Sequence, residues 1–224
     1  MRSPAFYFSE GVKIIAFDFK KEYRDFYLPP QKPVIVQIPN MNFIAVSGSG
    51  DPNSEDGEYA AALGLLYGIA YTLKMSYKTD YPINGFYEYV VPPLEGFWRQ
   101  DGVNGVDYSR KEDFEWISLI RLPDFISEDD LKWAIGEASA KKKTDFSPVK
   151  FMTYDEGLCV QSMHIGSYDD EPATISAMTA FAEENGYETD IGETRFHHEI
   201  YLNDPRKTDT AKVKTVIRHP IKKA

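Results

Sequence analysis

Cysteine is nearly absent from this 224-residue sequence, which contains only Cys159. A single cysteine excludes an intrachain disulfide and any zinc site built from several cysteines. Because Cys159 lies in the apolar run Leu158-Cys159-Val160, we interpret it as a small buried hydrophobic residue and not as a nucleophile.

Long hydrophobic runs are missing as well. No stretch approaches the run of about 18 apolar residues that a transmembrane helix requires. The N-terminus, from Met1 to Glu10, lacks the apolar core and the small-residue cleavage site of a signal peptide. We therefore expect a soluble, cytoplasmic protein with no membrane partner.

Positive charge is the third deficit, because 25 Lys and Arg residues face 35 Asp and Glu residues, for a formal net charge of -10. Domains that bind DNA or RNA through phosphates normally carry the opposite excess, so we expect no nucleic-acid partner. The sequence also contains no nucleophile elbow, P-loop, dinucleotide fingerprint or H-E-x-x-H motif, and we expect no cofactor.

Aromatic residues, by contrast, are abundant: 15 Tyr, 14 Phe and 3 Trp, in a chain that is 42% hydrophobic. This composition rules out disorder as the main state, because it supplies enough apolar surface for a packed core. It also leaves aromatic side chains to line a pocket.

The order of predicted elements repeats along the chain. An arm from Phe17 to Pro33 precedes strands at 34–38 and 43–46, a helix at 58–75, strands at 86–91, 94–99 and 114–122, and a helix that begins after the N-cap Ser127. The second half has a strand at 158–164, a helix from Pro172 to a left-handed C-cap at Gly186, and strands at 197–202 and 213–219. Strand, glycine loop, helix, strand, strand thus recurs after about 115 residues.

This recurrence predicts one α+β domain over residues 1–224. It would comprise an N-terminal arm and strand (1–40), a first repeat with an extra helix (41–145) and a second repeat (146–224). We expect an antiparallel sheet with pseudo-two-fold symmetry and helices on one face. The other face would be free to form a concave ligand cleft where the repeats meet.

The predicted strand over 197–202 carries the best candidate for chemistry. Side chains alternate across a strand, so His197, Glu199 and Tyr201 share one face, while His198, Ile200 and Leu202 form the better core face. A glutamate in an apolar cavity is suited to proton transfer or to binding a cation. The alternative is a solvent-exposed glutamate. Because the two adjacent histidines point in opposite directions, we expect no metal site.

Two aromatic residues have a sequence context that suggests a pocket. Gly96 beside Trp98 in a strand leaves room for another group, although a purely structural core tryptophan is the alternative. Tyr168 follows the Gly166 loop and precedes a helix, where its hydroxyl could reach a cleft between the repeats.

Three segments resemble the GyrI-like small-molecule-binding family, and together the resemblance spans nearly the whole chain. They are Phe43 to Asn53, Cys159 to Pro172, and His198 to Lys207, the last being the most specific. The chain is most similar to stand-alone members that lack a DNA-binding domain. The Ser-Tyr-Asp-Asp-Glu-Pro run and the Leu-Glu-Gly-Phe-Trp run bring it closest to a subfamily of cyclopropanoid cyclopropyl hydrolases.

This resemblance implies two strand-helix-strand-strand modules with a ligand cleft between them. In the hydrolase subfamily, an aromatic cage holds DNA-alkylating natural products of the yatakemycin and duocarmycin kind while their strained ring is opened. Glu199 matches the family's cleft glutamate, and we expect it to orient or deprotonate water, with Tyr168 as a hydrogen-bond partner. Ligand contact is expected from Trp98, Tyr71, Tyr201, Tyr67 and His164.

Two alternative functions stay open at this point. The same pocket could bind and sequester lipophilic cationic drugs without turnover. The acidic surface could instead belong to an interaction protein, because some relatives are described as inhibitors of DNA gyrase. Both functions that use the pocket require a small aromatic or lipophilic ligand as partner. The sequence does not determine the oligomeric state.

Overall fold

The computed structural model describes residues 15–54, 57–103 and 106–224. The helices within these ranges are α1 (Phe19–Glu22), α2 (Arg24–Tyr27), α3 (Glu58–Lys74), α4 (Glu128–Lys142) and α5 (Glu171–Glu184). The strands are β1 (Val34–Ile38), β2 (Met41–Ser49), β3 (Leu94–Arg99), β4 (Glu115–Arg121), β5 (Lys150–Tyr154), β6 (Gly157–Ile165), β7 (Tyr187–Thr189), β8 (His197–Tyr201) and β9 (Lys214–Lys223). None of the helices described is long and apolar enough to cross a membrane.

The strands form one sheet in the order β1-β6-β9-β8-β3-β4-β2-β5, and β7 pairs with β9 beside this path. Every pair of these strands is antiparallel. The predicted antiparallel α+β architecture is therefore confirmed. The centre of the sheet is the pair β3–β8, where Gly96 lies opposite Glu199.

Both long helices that flank this centre, α3 and α5, cover the same face of the sheet. Directly paired residues of an antiparallel sheet point to the same side, and the chain of partners Val46–Ser118–Gly96–Glu199–Ile217 crosses the sheet from β2 to β9. Helix α3 packs on the β2 end of this face and α5 on the β9 end. The prediction from the sequence was that the cleft lies on the face without helices. In the structure it opens on the helix-covered face, because the two helices stand apart over β3 and β8.

The opposite face is covered by the arm, whose two short helices α1 and α2 bury Phe19 and Tyr27. Beneath the arm lies a buried ionic cluster. His198 is 2.9 Å from an oxygen of Glu95 and 2.9 Å from one of Glu156, and Arg218 donates to Glu156 over 3.0 Å. This cluster ties the arm to the sheet, because Tyr27 donates its hydroxyl to Glu95 over 3.2 Å.

The helix boundaries follow from local sequence signals. Ser127 caps α4 in a reciprocal capping box with Asp130, as the acidic first turn predicted. Helix α5 carries Pro172 in its first turn and is followed by Gly186 at φ 78°, the left-handed conformation expected there.

One predicted strand is wrong, and two short strands were not predicted. Residues 86–91 form no strand, and only Tyr89 among them forms a bridge, to Phe17 of the arm. The segment runs from the turn at Gly85 into Pro92-Pro93, and the missing proline N–H groups prevent continued pairing. Strand β5 has no fully buried residue, and β7 has only three residues, so neither shows a clear strand pattern.

Candidate functional site

A cavity of about 920 Å³ lies between α3, the strands β3 and β8, and the loops that precede β4 and α5. Aromatic side chains dominate its lining: Tyr59, Tyr67, Tyr71, Trp98, Tyr108, Phe114, Tyr168 and Tyr201. Glu199 is the carboxylate on the cavity floor, and Lys20, Lys111, Asp204 and Arg206 lie around the opening. Such a lining is typical of a site for a flat, largely apolar molecule with a few polar groups.

The inner wall is held rigid by contacts between the aromatic side chains themselves. Trp98 donates its indole Nε1–H to the hydroxyl of Tyr201 over 2.9 Å. The ring of Tyr59 lies 5.5 Å from that of Trp98, and Tyr168 meets Tyr201 edge-on at 6.0 Å. Rings fixed in this way lose little conformational entropy when a ligand stacks on them.

The outer wall is formed by Tyr67 and Tyr71, which stand one turn apart on α3 and stack at 6.5 Å. Their side chains remain 38% and 53% exposed, respectively. Large aromatic surfaces that stay open to solvent in this position are available to a ligand.

Glu199 is only 6% exposed, and a buried histidine fixes its carboxylate. Oε1 of Glu199 lies 2.8 Å from Nε2 of His197, and Nδ1 of His197 lies 2.7 Å from Nε2 of His219. Burial, with the neighbouring His197, holds the pKa of His219 well below its usual range, so that ring is neutral. The result is a hydrogen-bonded chain from the cavity floor into the sheet.

A second glutamate, Glu171, lies behind the cavity wall at the first residue of α5. It is 0% exposed, and its Oε2 accepts the hydroxyl of Tyr108 over 2.6 Å. Its Oε1 is buried and has no hydrogen-bond partner among the described residues. Burial raises the pKa of Glu171 well above the ordinary value of 4.5, and the nearby Glu199 raises it further.

Three buried side chains meet beside the cavity: Glu171, His197 and Glu199. One carboxylate oxygen or ring nitrogen of each lies within 4.8 Å of the other two. This spacing would also accommodate a small cation. His197 already contacts Glu199, and the raised pKa of Glu171 favours its uncharged form beside that carboxylate.

The tyrosine hydroxyls near Glu199 remain protonated at neutral pH. Burial raises the pKa values of Tyr59, Tyr168 and Tyr201, and the charge of Glu199 raises all three further. A neutral phenol donates a hydrogen bond, so the cavity presents several donors beside one carboxylate.

Six of the seven residues singled out in the sequence line this cavity: Glu199, Tyr168, Trp98, Tyr71, Tyr201 and Tyr67. His164 lies elsewhere. Its ring is buried in β6, with Nδ1 2.9 Å from the Thr174 hydroxyl and Nε2 2.9 Å from the Ser167 carbonyl oxygen. His197 and His198 do point in opposite directions, the first toward Glu199 and the second into the ionic cluster.

Sequence reasoning missed Glu171 and Tyr108, and it did not connect His197 to Glu199. Glu171 sits in the Ser-Tyr-Asp-Asp-Glu-Pro run, where an acid in the first turn is accounted for by the helix dipole alone. Tyr108 comes from a loop without a pattern. The His197–His219 contact depends on the pairing of β8 with β9, which no local signal specifies.

Comparison with known proteins places the fold in a family. The sequence profile of the GyrI-like small molecule binding domain matches residues 31–222. The chain belongs to this family. A search of curated proteins found no match.

Solved structures with the same fold include proteins of high and of low sequence identity. The chain is 43% identical to a protein described as a hydrolase from Listeria innocua, with a TM-score of 0.84 over 92% of this chain and 100% of that one. An uncharacterized conserved protein from Listeria innocua is 44% identical, with a TM-score of 0.87 and the same coverage. The C-terminal domain of EcmrR shares the fold at 13% identity, with a TM-score of 0.53 over 86% of this chain and 98% of that domain.

Proposed function

We propose that this GyrI-like protein is a hydrolase that holds a flat, lipophilic molecule in the aromatic cavity and opens a strained cyclopropane ring with water. The observation that carries the proposal is the placement of Glu199: a buried carboxylate, oriented by His197, on the floor of a cavity walled by aromatic rings. The substrate class is that of cyclopropanoid alkylating agents, in which the cyclopropane is conjugated to a dienone.

Binding would rest on stacking and exclusion of water. A planar ligand between Trp98 and the outer pair Tyr67 and Tyr71 would contact π-faces on both sides. The cavity volume of about 920 Å³ is large enough for a polycyclic molecule. Such walls select for flatness and polarisability, so we expect tolerance toward the periphery of the ligand.

The reaction requires little covalent help from the protein. Glu199 would accept a proton from a water molecule as the water oxygen attacks the cyclopropane methylene carbon. The carbon–carbon bond to the spiro centre breaks, and its electron pair restores aromaticity and places negative charge on the former dienone oxygen. That phenolate then takes up one proton, so the net change is the addition of one water.

The developing phenolate would be stabilised by neutral phenols. Tyr168 and Tyr201 remain protonated because burial and Glu199 raise their pKa values. Donors that are already oriented stabilise a transition-state charge without reorganisation. The relative described as a hydrolase, 43% identical over nearly the whole chain, supports an enzymatic role in general terms.

The proposal is tested by incubating the protein with a cyclopropane-bearing dienone alkylator and analysing the products by mass spectrometry. We expect a ring-opened product heavier by one water, lost in Glu199→Gln. The matched control is Glu188→Gln, an exposed glutamate on β7, which should keep full activity. Ligand-dependent quenching of tryptophan fluorescence in Glu199→Gln checks that the cavity still binds.

A second candidate function rests on the same cavity. Glu199 among aromatic rings would hold a lipophilic cation through charge and cation–π contacts, and the protein would then sequester the compound without changing it. Saturable binding of the alkylator with no product, together with tight binding of lipophilic cations, would favour this function over hydrolysis.

We further propose that the domain arose by duplication of a strand-helix-strand-strand module, with repeats over 41–145 and 146–224. The strand order supports this, because β2-β4-β3 in one half and β6-β9-β8 in the other are connected in the same way and meet at β3–β8. The cavity would then lie over the contact between the two repeats.

A further inference from the structure

We propose that Glu171 is a positioning residue of the site: it holds a proton on Oε1 and donates it as a hydrogen bond to the carboxylate of Glu199. The expected effect of Glu171 on turnover rests on the proposed hydrolysis. The protonation itself is a property of the folded protein and can be measured without substrate.

The geometry of Glu171 leaves few other arrangements. The residue is completely buried, its Oε2 accepts the Tyr108 hydroxyl at 2.6 Å, and Oε1 has no hydrogen-bond partner in the part of the chain that the structure describes. A buried carboxylate oxygen without a hydrogen bond costs stability. A proton on Oε1 converts that oxygen into a donor, and a carboxylate oxygen of Glu199 lies within 4.8 Å of a carboxylate oxygen of Glu171, close enough for the two side chains to interact.

The surroundings divide the pair into an acid and a base. Oε1 of Glu199 is 2.8 Å from His197 Nε2, and Nδ1 of His197 is 2.7 Å from Nε2 of the neutral His219. With Nε2 as the donor, His197 hydrogen-bonds the carboxylate of Glu199 and not that of Glu171. The titratable groups that face Glu171 include no Lys or Arg among the described contacts: they are Tyr108, Tyr168, Asp169, His197 and Glu199.

This division matters for the reaction because a base must be ionised and correctly aimed. An O–H donated by Glu171 would help to hold the carboxylate of Glu199 in one orientation. If both carboxyls ionise at high pH, the repulsion between them removes that hydrogen bond. Activity would therefore fall at alkaline pH through loss of the proton on Glu171.

The test compares Glu171→Gln, Glu171→Ala and the control Glu183→Gln, an exposed residue of the same helix. The amide of glutamine mimics the protonated acid, because it donates toward Glu199 and accepts from Tyr108 but cannot ionise. We expect Glu171→Gln to retain kcat within about threefold and to lack the alkaline decline, whereas Glu171→Ala loses about 100-fold in kcat.

Thermal unfolding provides the readout without substrate. Folding holds the proton on Glu171, so its contribution to stability is complete below pH 4.5 and decreases as the pH rises toward the raised pKa. The melting temperature of Glu171→Gln relative to wild type should therefore increase by about 2 °C or more between pH 4 and pH 8, with no such trend for Glu183→Gln.

Three outcomes would overturn the inference. The first is an equal loss of activity in Glu171→Gln and Glu171→Ala with both still folded. The second is a stability difference that does not change with pH. The third is strong stabilisation of the wild type by Mn²⁺ or Zn²⁺ that is lost in Glu171→Gln, which would assign the cluster to a cation. If no cyclopropanoid is turned over at all, the proposed function fails, and the pH dependence of unfolding still decides this question.

Discussion

Trp98 and Tyr201 are joined by a hydrogen bond of 2.9 Å that passes over the bare Cα of Gly96. A Cβ at position 96 would lie 2.7 Å from the Trp98 Nε1 and 2.9 Å from the Tyr201 hydroxyl oxygen. Both distances are shorter than real side chains allow. The inner wall of the cavity therefore depends on glycine at this position of β3.

We expect Gly96→Ala to displace the Trp98–Tyr201 pair and weaken ligand binding at least tenfold, which corresponds to about 1.4 kcal/mol. Overpacking should also lower the free energy of unfolding by about 1–3 kcal/mol. Tryptophan fluorescence titration and urea denaturation measure the two effects.

Gly64→Ala is the matched control. Gly64 lies on α3, and a Cβ there would meet nothing within 4 Å. Alanine should stabilise the helix by about 0.5–1 kcal/mol without changing affinity. Equal affinities of Gly96→Ala and wild type would show that the inner wall does not contact the ligand.

The outer wall predicts a different balance between binding and stability. Tyr71 is 53% exposed and stacks on Tyr67, so Tyr71→Ala should change the free energy of unfolding by less than about 0.5 kcal/mol. Loss of one stacking face should weaken binding of a flat ligand about fivefold, near 1 kcal/mol. Calorimetric titration measures the affinity.

The control for the outer wall is Tyr77→Ala. Tyr77 is 42% exposed and lines a separate, smaller cavity beside Met75 and Phe86. The Tyr77→Ala variant should bind the ligand with the same affinity as the wild type. A twofold or smaller change in Tyr71→Ala would contradict a ligand-binding role for the outer wall.

Much of the fold could be predicted because local signals were strong. The boundaries of three helices were predicted to within a few residues. The signals were the apolar stripe of α3, the capping of α4 and the glycine after α5. Strands β5 and β7 were not predicted, because β5 has no fully buried residue and β7 spans only three residues. The face on which the cavity lies could not be predicted, because it depends on how far apart α3 and α5 are held.

The site shows the same division between local and distant information. Glu199 and Tyr201 were found from two-residue alternation on β8, which places both side chains on one face. Glu171 was not found, because its partners Tyr108 and Glu199 are distant in sequence and meet only in the folded sheet. His164, named for its place in a motif, forms hydrogen bonds to Thr174 and Ser167 instead of lining the cavity.

The ionic cluster on the opposite face predicts a pH-dependent stability. Burial alone would lower the pKa of His198, but Glu156 and Glu95 raise it above its ordinary value of 6.5. The stabilisation from the protonated ring is therefore complete below pH 6.5 and is lost as the pH rises through the raised pKa. Urea denaturation between pH 6 and pH 9 should show a declining free energy of unfolding.

Substitution of the histidine removes this effect. His198→Ala leaves Glu95 without its charged partner, and we expect a loss of about 3–5 kcal/mol at pH 6 with a weaker pH dependence above it. Glu156→Gln should move the decline to lower pH, because one of the two acids that raise the pKa of His198 is gone. A wild-type stability that stays constant from pH 6 to pH 9 would show that His198 is not protonated in the folded protein.

The most direct test of the central claim is the fate of water during ring opening. A cyclopropanoid dienone is incubated with the protein in H₂¹⁸O, and the products are analysed by mass spectrometry. We predict a ring-opened phenol that carries one ¹⁸O on the former cyclopropane methylene, formed by the wild type and not by Glu199→Gln. Ring opening that proceeds equally with Glu199→Gln, or a ligand that is bound and released unchanged by the wild type, would contradict the account.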